Sequence, residues 1–471
     1  MKTNKCLQLF LILSFFLFSN FFLFSSVTSP KYVFFFIGDG MGIPHVNLAE
    51  SYLAAINDKV GVEKLTFTRF PVFGLSTTYA ENRYITCSAA AGTALSTGSK
   101  TSINTIGLAS DHHDTLFSIA YRAKQKGKKI GIISSVGINH ATPAAFYAHQ
   151  VSRNHYYEIA LQATKSDFDV FACGGFIQPK GVNNDFKSAY DIAKENGYQV
   201  LNTNESIQNY NRKNEKVMFV SPNTLENNSM PYAIDRKNNS YSLHNFLEKS
   251  ISILDNENGF FIMLESGKID WAAHNNDAAT VVHEVIDFDK SIKIAYDFYL
   301  QHPEETLIII TADHETGGLG LGYDKNGYKS NFSNLQFQKK SFETINQEVF
   351  QKYKTTNNIS YQDFLSIGEE YFNISKTELS PSELQELETV YTSFNSSRSS
   401  NANISIEEIN VFIKTYLDIF NHRASVAWTT HFHTGTPVGV WAIGYKSNEF
   451  TGNYDNTDIP KKLAKIMQLM P

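Results

Sequence analysis

At 471 residues the chain exceeds the usual size of one domain, so a large core with insertions, or two unequal domains, is expected. An apolar content of 42% with 13% aromatics is that of a globular protein and excludes disorder throughout. The net charge of −6 gives no support to a nucleic-acid-binding surface or a polybasic membrane patch.

Lys2 and Lys5 precede an apolar run from Leu7 to Phe24, the pattern of a secretory signal. Residues 1–29 are therefore expected to be an export segment, placing the mature chain in a periplasmic or extracellular compartment. Cleavage is favoured, with an uncleaved membrane anchor as the rival, because the run is long and Ser25–Ser29 mark an indistinct cleavage site. Cys6 falls inside this segment. Cys87 and Cys173 remain and read as free thiols rather than a disulfide framework.

YVFFFIGDGMG, residues 32–42, follows as a buried strand whose carboxyl end delivers Asp39 into a tight turn. In TCSAAAGTALSTGSKT, residues 86–101, Ser88 precedes a run of small residues that predicts a tightly packed helix ended by Gly98. Ser88 then lies at or near the helix N-terminus, where free amides and the helix dipole stabilise an alkoxide or a bound anion. Taken alone, the same pattern fits an ordinary N-cap serine.

Further apolar runs occur at 128–135, 168–175, 215–222, 259–267, 306–315 and 438–444, with helical patterns such as HDTLFSIAYRAKQKGK and DAATVVHEVIDFDKSIKIAYDFYL between them. This alternation predicts an α/β protein, a three-layer sandwich with a mostly parallel central sheet flanked by helices. From about residue 323 to 422 the chain turns rich in Asn, Ser, Gln and Lys, with helix-start signatures at Ser360, Ser380 and Ser405. A helical insertion over one edge of the sheet is expected there.

Asp39, Glu265 and the adjacent Asp313 and His314 place charge at the ends of three apolar strands. Burying several acids together is costly unless cations neutralise them. In ESGKIDWAAHNND, Asp270 and His274 stand four apart, so one helix face presents both to one ion, although exposed helix pairs share that spacing. His431 and His433 precede a glycine turn and the final strand, and either could complete a zinc ligand set. Thr142 precedes Pro143, and Arg153 follows eleven residues after Thr142. Beside a metal and a serine, an arginine is a bidentate phosphate clamp.

The ordered set IGDGMG, Ser88 followed by small residues and TALSTGSKT, ATPAAFYAHQVSR, LESGKID with AAH, TADHE, and HTG before a strand resembles the alkaline phosphatase family. The resemblance spans nearly the whole chain after the leader, residues 30–471, except the helical insertion. It implies that Ser88 matches the nucleophile and Arg153 the phosphate-binding arginine. Asp270, His274 and His433 match the ligands of one zinc, and Asp39, Asp313 and His314 those of a second. Thr142 and Glu265, with Asp39 bridging, match the ligands of one magnesium. Such paired metals, roughly 4 Å apart, clamp the entering and leaving oxygens of an in-line displacement. The implied activity is hydrolysis of small phosphate monoesters through a phosphoserine intermediate, with a homodimer as an assembly left open.

Three positions depart from the common family pattern. Cys87 stands where many members carry an acid that helps position the arginine, which predicts a looser Arg153 clamp. His140 occupies a place that is Asp in some members and His in others, and Trp271 replaces a Lys or His. A sulfatase reading fails, because Cys87 is followed by Ser88, Ala89, Ala90 and Ala91 rather than a Pro and Arg pattern. A phosphodiesterase on the same scaffold and a noncatalytic phosphate-binding protein are the remaining alternatives.

Overall fold

The structure is a computed structural model that describes residues 28–237, 240–356, 358–397 and 403–469. The apolar leader run, Leu7 to Phe24, lies outside the described residues. A ten-stranded sheet forms the centre, in the order Gly452–Asp455, Val72–Thr77, Val438–Gly444, Thr306–Thr311, Tyr32–Gly38, Phe260–Ser266, Lys129–Ser134, Val170–Cys173, Lys216–Val220, Tyr198–Leu201. All neighbours pair in parallel except Val438–Gly444, which runs antiparallel to both of its partners.

The three middle strands, YVFFFIG, FFIMLES and TLIIIT, are buried along their whole length. Unbroken apolar runs are what a parallel sheet covered on both faces requires. Side chains alternate between the two layers: Val33, Phe35 and Ile37 pack with the helices at 88–97, 119–125 and 458–466, whereas Phe34 and Phe36 pack with those at 243–254 and 278–301. A third apolar cluster gathers Phe364, Phe412, Tyr416 and Phe420 from the helices at 361–372 and 406–423 against Leu48, Ala278 and Val282. The helix starts there are capped by the serines expected: Ser360 accepts from the Asp363 amide, and Ser405 forms a capping box with Glu408.

Val72–Thr77, Tyr198–Leu201 and Gly452–Asp455 are strands that the apolar-run reading does not find. They lie at or next to the sheet edges, where one side of the strand meets water, and so are short or alternate in polarity.

Register decides where the chemistry collects. Ile37 lies level with Glu265 on one side and Thr311 on the other, and Ser134 is also level with Glu265. The chain continuing from these strand ends therefore brings Asp39, Glu265 and Asp313 to one side of the sheet.

Gly259 sets the start of the strand that carries Glu265. Its φ is +72°, and a Cβ there would stand 1.9 Å from the Lys31 carbonyl oxygen. Gly259→Ala is expected to destabilise the protein by ~2 kcal/mol or more, read as a lower denaturation midpoint. An unchanged midpoint would refute this account of the turn.

Candidate active site

The helix Ser88–Thr97 begins at Ser88 itself, with Cys87 extended at the N-cap and Gly98 closing it at φ +81°. Its first intrahelical bond runs from the Ala91 amide to the Cys87 carbonyl, so the amides of Ser88, Ala89 and Ala90 have no intrahelical acceptor. Small residues allow close packing: a Cβ on Gly92 would stand 3.3 Å from the Cα of Thr142, in the short helix Ala141–Ala144. Ser88 is buried, and its Oγ lies 3.3 Å from Nε2 of His314.

Asp39, Glu265, Asp313 and His314 are fully buried. The turn after the Asp39 strand approaches the opposite wall so closely that a Cβ on Gly40 would meet Thr316 Oγ1 at 2.7 Å. The Gly40 amide donates to Asp313 Oδ1 at 3.1 Å, and Thr142 Oγ1 lies 3.5 Å from Asp313 Oδ2. Ser134 donates to Glu265 Oε2. Neither carboxylate oxygen of Asp39 has a hydrogen-bonding partner, nor does Oε1 of Glu265. Burial, reinforced by neighbouring carboxylates, pushes Asp39 well above the ordinary range, Glu265 up to about 8 and Asp313 up to about 7.

The imidazoles are oriented by their other ring nitrogens. Nδ1 of His433 meets the Thr86 carbonyl at 2.9 Å, and Nδ1 of His274 meets the His431 carbonyl at 2.5 Å. A carbonyl only accepts, so each Nδ1 carries a hydrogen and Nε2 is left with a lone pair in the neutral ring. For His314 the same role falls to Thr316, whose hydroxyl donates to Asp270 Oδ1 at 2.6 Å and faces His314 Nδ1 at 3.2 Å. Nε2 of His274 and Nε2 of His433 then face each other at 3.2 Å, and they lie 3.3 and 3.6 Å from Asp270 Oδ1. Two lone pairs at that separation require a cation or a proton between them. Such anchoring of the distal nitrogen is the usual arrangement of metal-binding histidines.

Three groups of donor atoms each lie within 4.8 Å of one another: Asp270, His314 and His433; Asp39, Asp313 and His314; Asp39, His140 and Glu265. The structure thus brings together Asp39, Thr142, Glu265, Asp270, His274, Asp313, His314 and His433, with His314 beside Ser88. Arg153 adjoins them through His140, whose Nε2 takes the Arg153 Nη2 hydrogen at 2.8 Å. Cys87 Sγ accepts from the Asn104 amide at 3.1 Å, and the Asn104 carbonyl accepts the Arg153 amide at 2.8 Å, so the loop beside the serine still holds the arginine's backbone.

The sequence reading missed Thr316 as the bridge between Asp270 and His314, and His140 as a member of a donor group. Of the two histidines offered as zinc ligands, His433 joins a donor group, whereas the ring and carbonyl of His431 bond reciprocally with His274. The TADHE motif runs directly into Thr316, which was the available signal.

The donor set fits cations. In the metal-free protein the raised carboxyls, together with His274, raised to about 9 because Asp270 outweighs burial, favour the folded state only while protonated. Their contribution is complete below the unfolded values and lost as pH rises through about 7 to 9. The depressed imidazoles of His140, His314 and His433 act oppositely, but below about pH 6.5. With chelator present, the unfolding temperature is therefore expected to fall between roughly pH 6.5 and 8, and divalent cations to suppress the fall. A flat profile in chelator would contradict the assignment.

A sequence model of the alkaline phosphatase family matches residues 30–469. Alkaline phosphatase 4 of Bacillus subtilis (strain 168) is 32% identical over 452 residues, covering 93% of this chain and 89% of that protein. Among solved structures, a cold-active alkaline phosphatase from the psychrophile Shewanella sp. superposes with a TM-score of 0.77 at 29% identity, over 93% of this chain and all of that one. Alkaline phosphatase from the Antarctic bacterium TAB5 gives 0.64 at 28% identity over 94% and 99%, and a variant of that enzyme carries Mg in its M3 site. The chain belongs to the alkaline phosphatase family and is a metal-dependent phosphomonoester hydrolase.

Proposed function

We propose that this chain is an exported phosphatase that cleaves small phosphate monoesters through a phosphoserine on Ser88. The observation that carries the reading is the hydroxyl of Ser88, at a helix N-terminus, 3.3 Å from an imidazole nitrogen in a cluster of buried carboxylates with unpartnered oxygens. Asp270, His274 and His433 would hold one zinc, Asp39, Asp313 and His314 a second, and Thr142 and Glu265 with Asp39 a magnesium. His140 shares a donor group with Asp39 and Glu265, which makes it a further neighbour of the magnesium position. Bound there, the cations would neutralise the carboxylates and supply Lewis acidity for the entering and leaving oxygens.

The protein's own groups account for the rest. Ser88 Oγ attacks phosphorus in line with the departing alcohol, so one P–O bond forms as the other breaks. Water then attacks the phosphoserine, releasing phosphate and returning the hydroxyl. The amides of Ala89 and Ala90 and the guanidinium of Arg153 face the equatorial oxygens, where the transition state concentrates its charge. Burial keeps His314 neutral, so its Nε2 lone pair, 3.3 Å from Ser88 Oγ, would be free to hold a cation beside the serine. Export rests on the leader sequence, Lys2 and Lys5 before the apolar run.

Ser88→Ala is expected to lower kcat on an aryl phosphate by ~10³-fold or more while metal content stays unchanged. Chelation should abolish activity and zinc with magnesium restore it. Activity surviving Ser88→Ala would defeat the mechanism. A higher kcat/KM on an aryl diester than on the monoester would favour the phosphodiesterase reading instead.

A further inference from the structure

Lys268 opens the short helix, Lys268–His274, that also carries Asp270 and His274. It is completely buried, which is rare for lysine and costly without compensation. Its Nζ lies 3.5 Å from the ring centre of Tyr232 and 4.7 Å from that of Trp271. Ser229 Oγ stands 3.3 Å away and Glu343 Oε2 3.8 Å away. Two aromatic faces and a carboxylate thus compensate one ammonium.

The cage joins two parts of the molecule. Glu343 lies in the first turn of the helix Phe342–Tyr353, and it also accepts the Tyr232 hydroxyl at 2.7 Å. That helix start is fastened by Asp235, which accepts from the Ser341 amide at 2.9 Å and Thr344 Oγ1 at 2.8 Å, and by Asp277, which accepts the Phe342 amide at 2.7 Å. On its other side, Trp271 stands nearly perpendicular to His140, with ring centres 5.9 Å apart at 77°. His140 has no partner at Nδ1, so its ring is held by packing against Trp271 and by its bond to Arg153.

We propose that Lys268 is a positioning residue for phosphate affinity. Its ammonium fixes the indole of Trp271, and through Trp271 and His140 it sets the guanidinium of Arg153. Glu343 makes this arrangement depend on the helix Phe342–Tyr353. The inference rests on Arg153 holding phosphate, as proposed above.

The test measures inhibition by inorganic phosphate of aryl phosphate hydrolysis, using the full-length metal-loaded enzyme. Lys268→Met is expected to weaken phosphate inhibition about five- to tenfold and raise KM in parallel, with kcat changing less than about threefold and metal content unchanged. Lys268→Arg, which retains the cation, should recover affinity to within about twofold. In an Arg153→Ala background, Lys268→Met should add less than about twofold, since both act through one group. Unchanged phosphate inhibition in Lys268→Met, full additivity with Arg153→Ala, or loss of metal as the main effect would each overturn the proposal. If Arg153→Ala itself leaves phosphate inhibition intact, the clamp reading fails instead. Should Lys268→Met not fold, Glu343→Gln is read by the same inhibition, where an effect of about two- to threefold supports the relay and none overturns it.

Discussion

Four buried carboxylates, those of Asp39, Glu265, Asp270 and Asp313, share one pocket with four imidazoles, those of His140, His274, His314 and His433, and the repulsion among the carboxylates constrains everything around it. Two like charges about 4 Å apart repel by ~4 kcal/mol at an effective dielectric of ~20. Burial first, and the neighbouring Asp313 second, raise Glu265 to about 8. Either protons or cations must therefore occupy the pocket, and at the alkaline end of the pH range only cations do so. The orphaned oxygens of Asp39 mark where that charge belongs.

The rest of the fold holds the donors in place against this repulsion. Parallel register brings three acidic strand ends to one level, and fully buried strands give them little freedom to move apart. Backbone carbonyls of Thr86 and His431 fix the imidazoles of His433 and His274, and the hydroxyl of Thr316 fixes that of His314. In each case a neutral acceptor outside the pocket decides which nitrogen is free inside it. The same cost of desolvation that raises the acids keeps His314 and His433 uncharged, and neutral imidazoles are the form that binds metal.

Arg153, the proposed phosphate clamp, is held by weaker and more distributed contacts than the metal donors. Arg153 is reached through His140, Trp271 and a buried lysine rather than through an acid beside the serine. Cys87 instead accepts one backbone amide of the loop that carries the arginine's backbone bond. The helix Phe342–Tyr353 meets this side through polar bonds at its first turn, while its apolar face joins a separate core with Leu48 and Ala278.

Much of the catalytic centre was legible because its signals are local. Unbroken apolar runs ending in acids mark buried strands, small residues after Ser88 mark a packed helix, and the four-residue spacing of Asp270 and His274 marks one helix face. The edge strands at 198–201 and 452–455 escaped the same reading because solvent on one side removes the apolar run. Thr316, His140 and Lys268 escaped it for another reason. Thr316 acts on Asp270 across 46 residues, and Lys268 meets Glu343 across 75, distances over which no periodicity carries information. Local pattern is enough to name the side chains that need neutralising and to place helices over both faces of a mostly parallel sheet. Which nitrogen of each histidine faces the pocket, and what holds Arg153, depend instead on acceptors and rings that folding alone brings close.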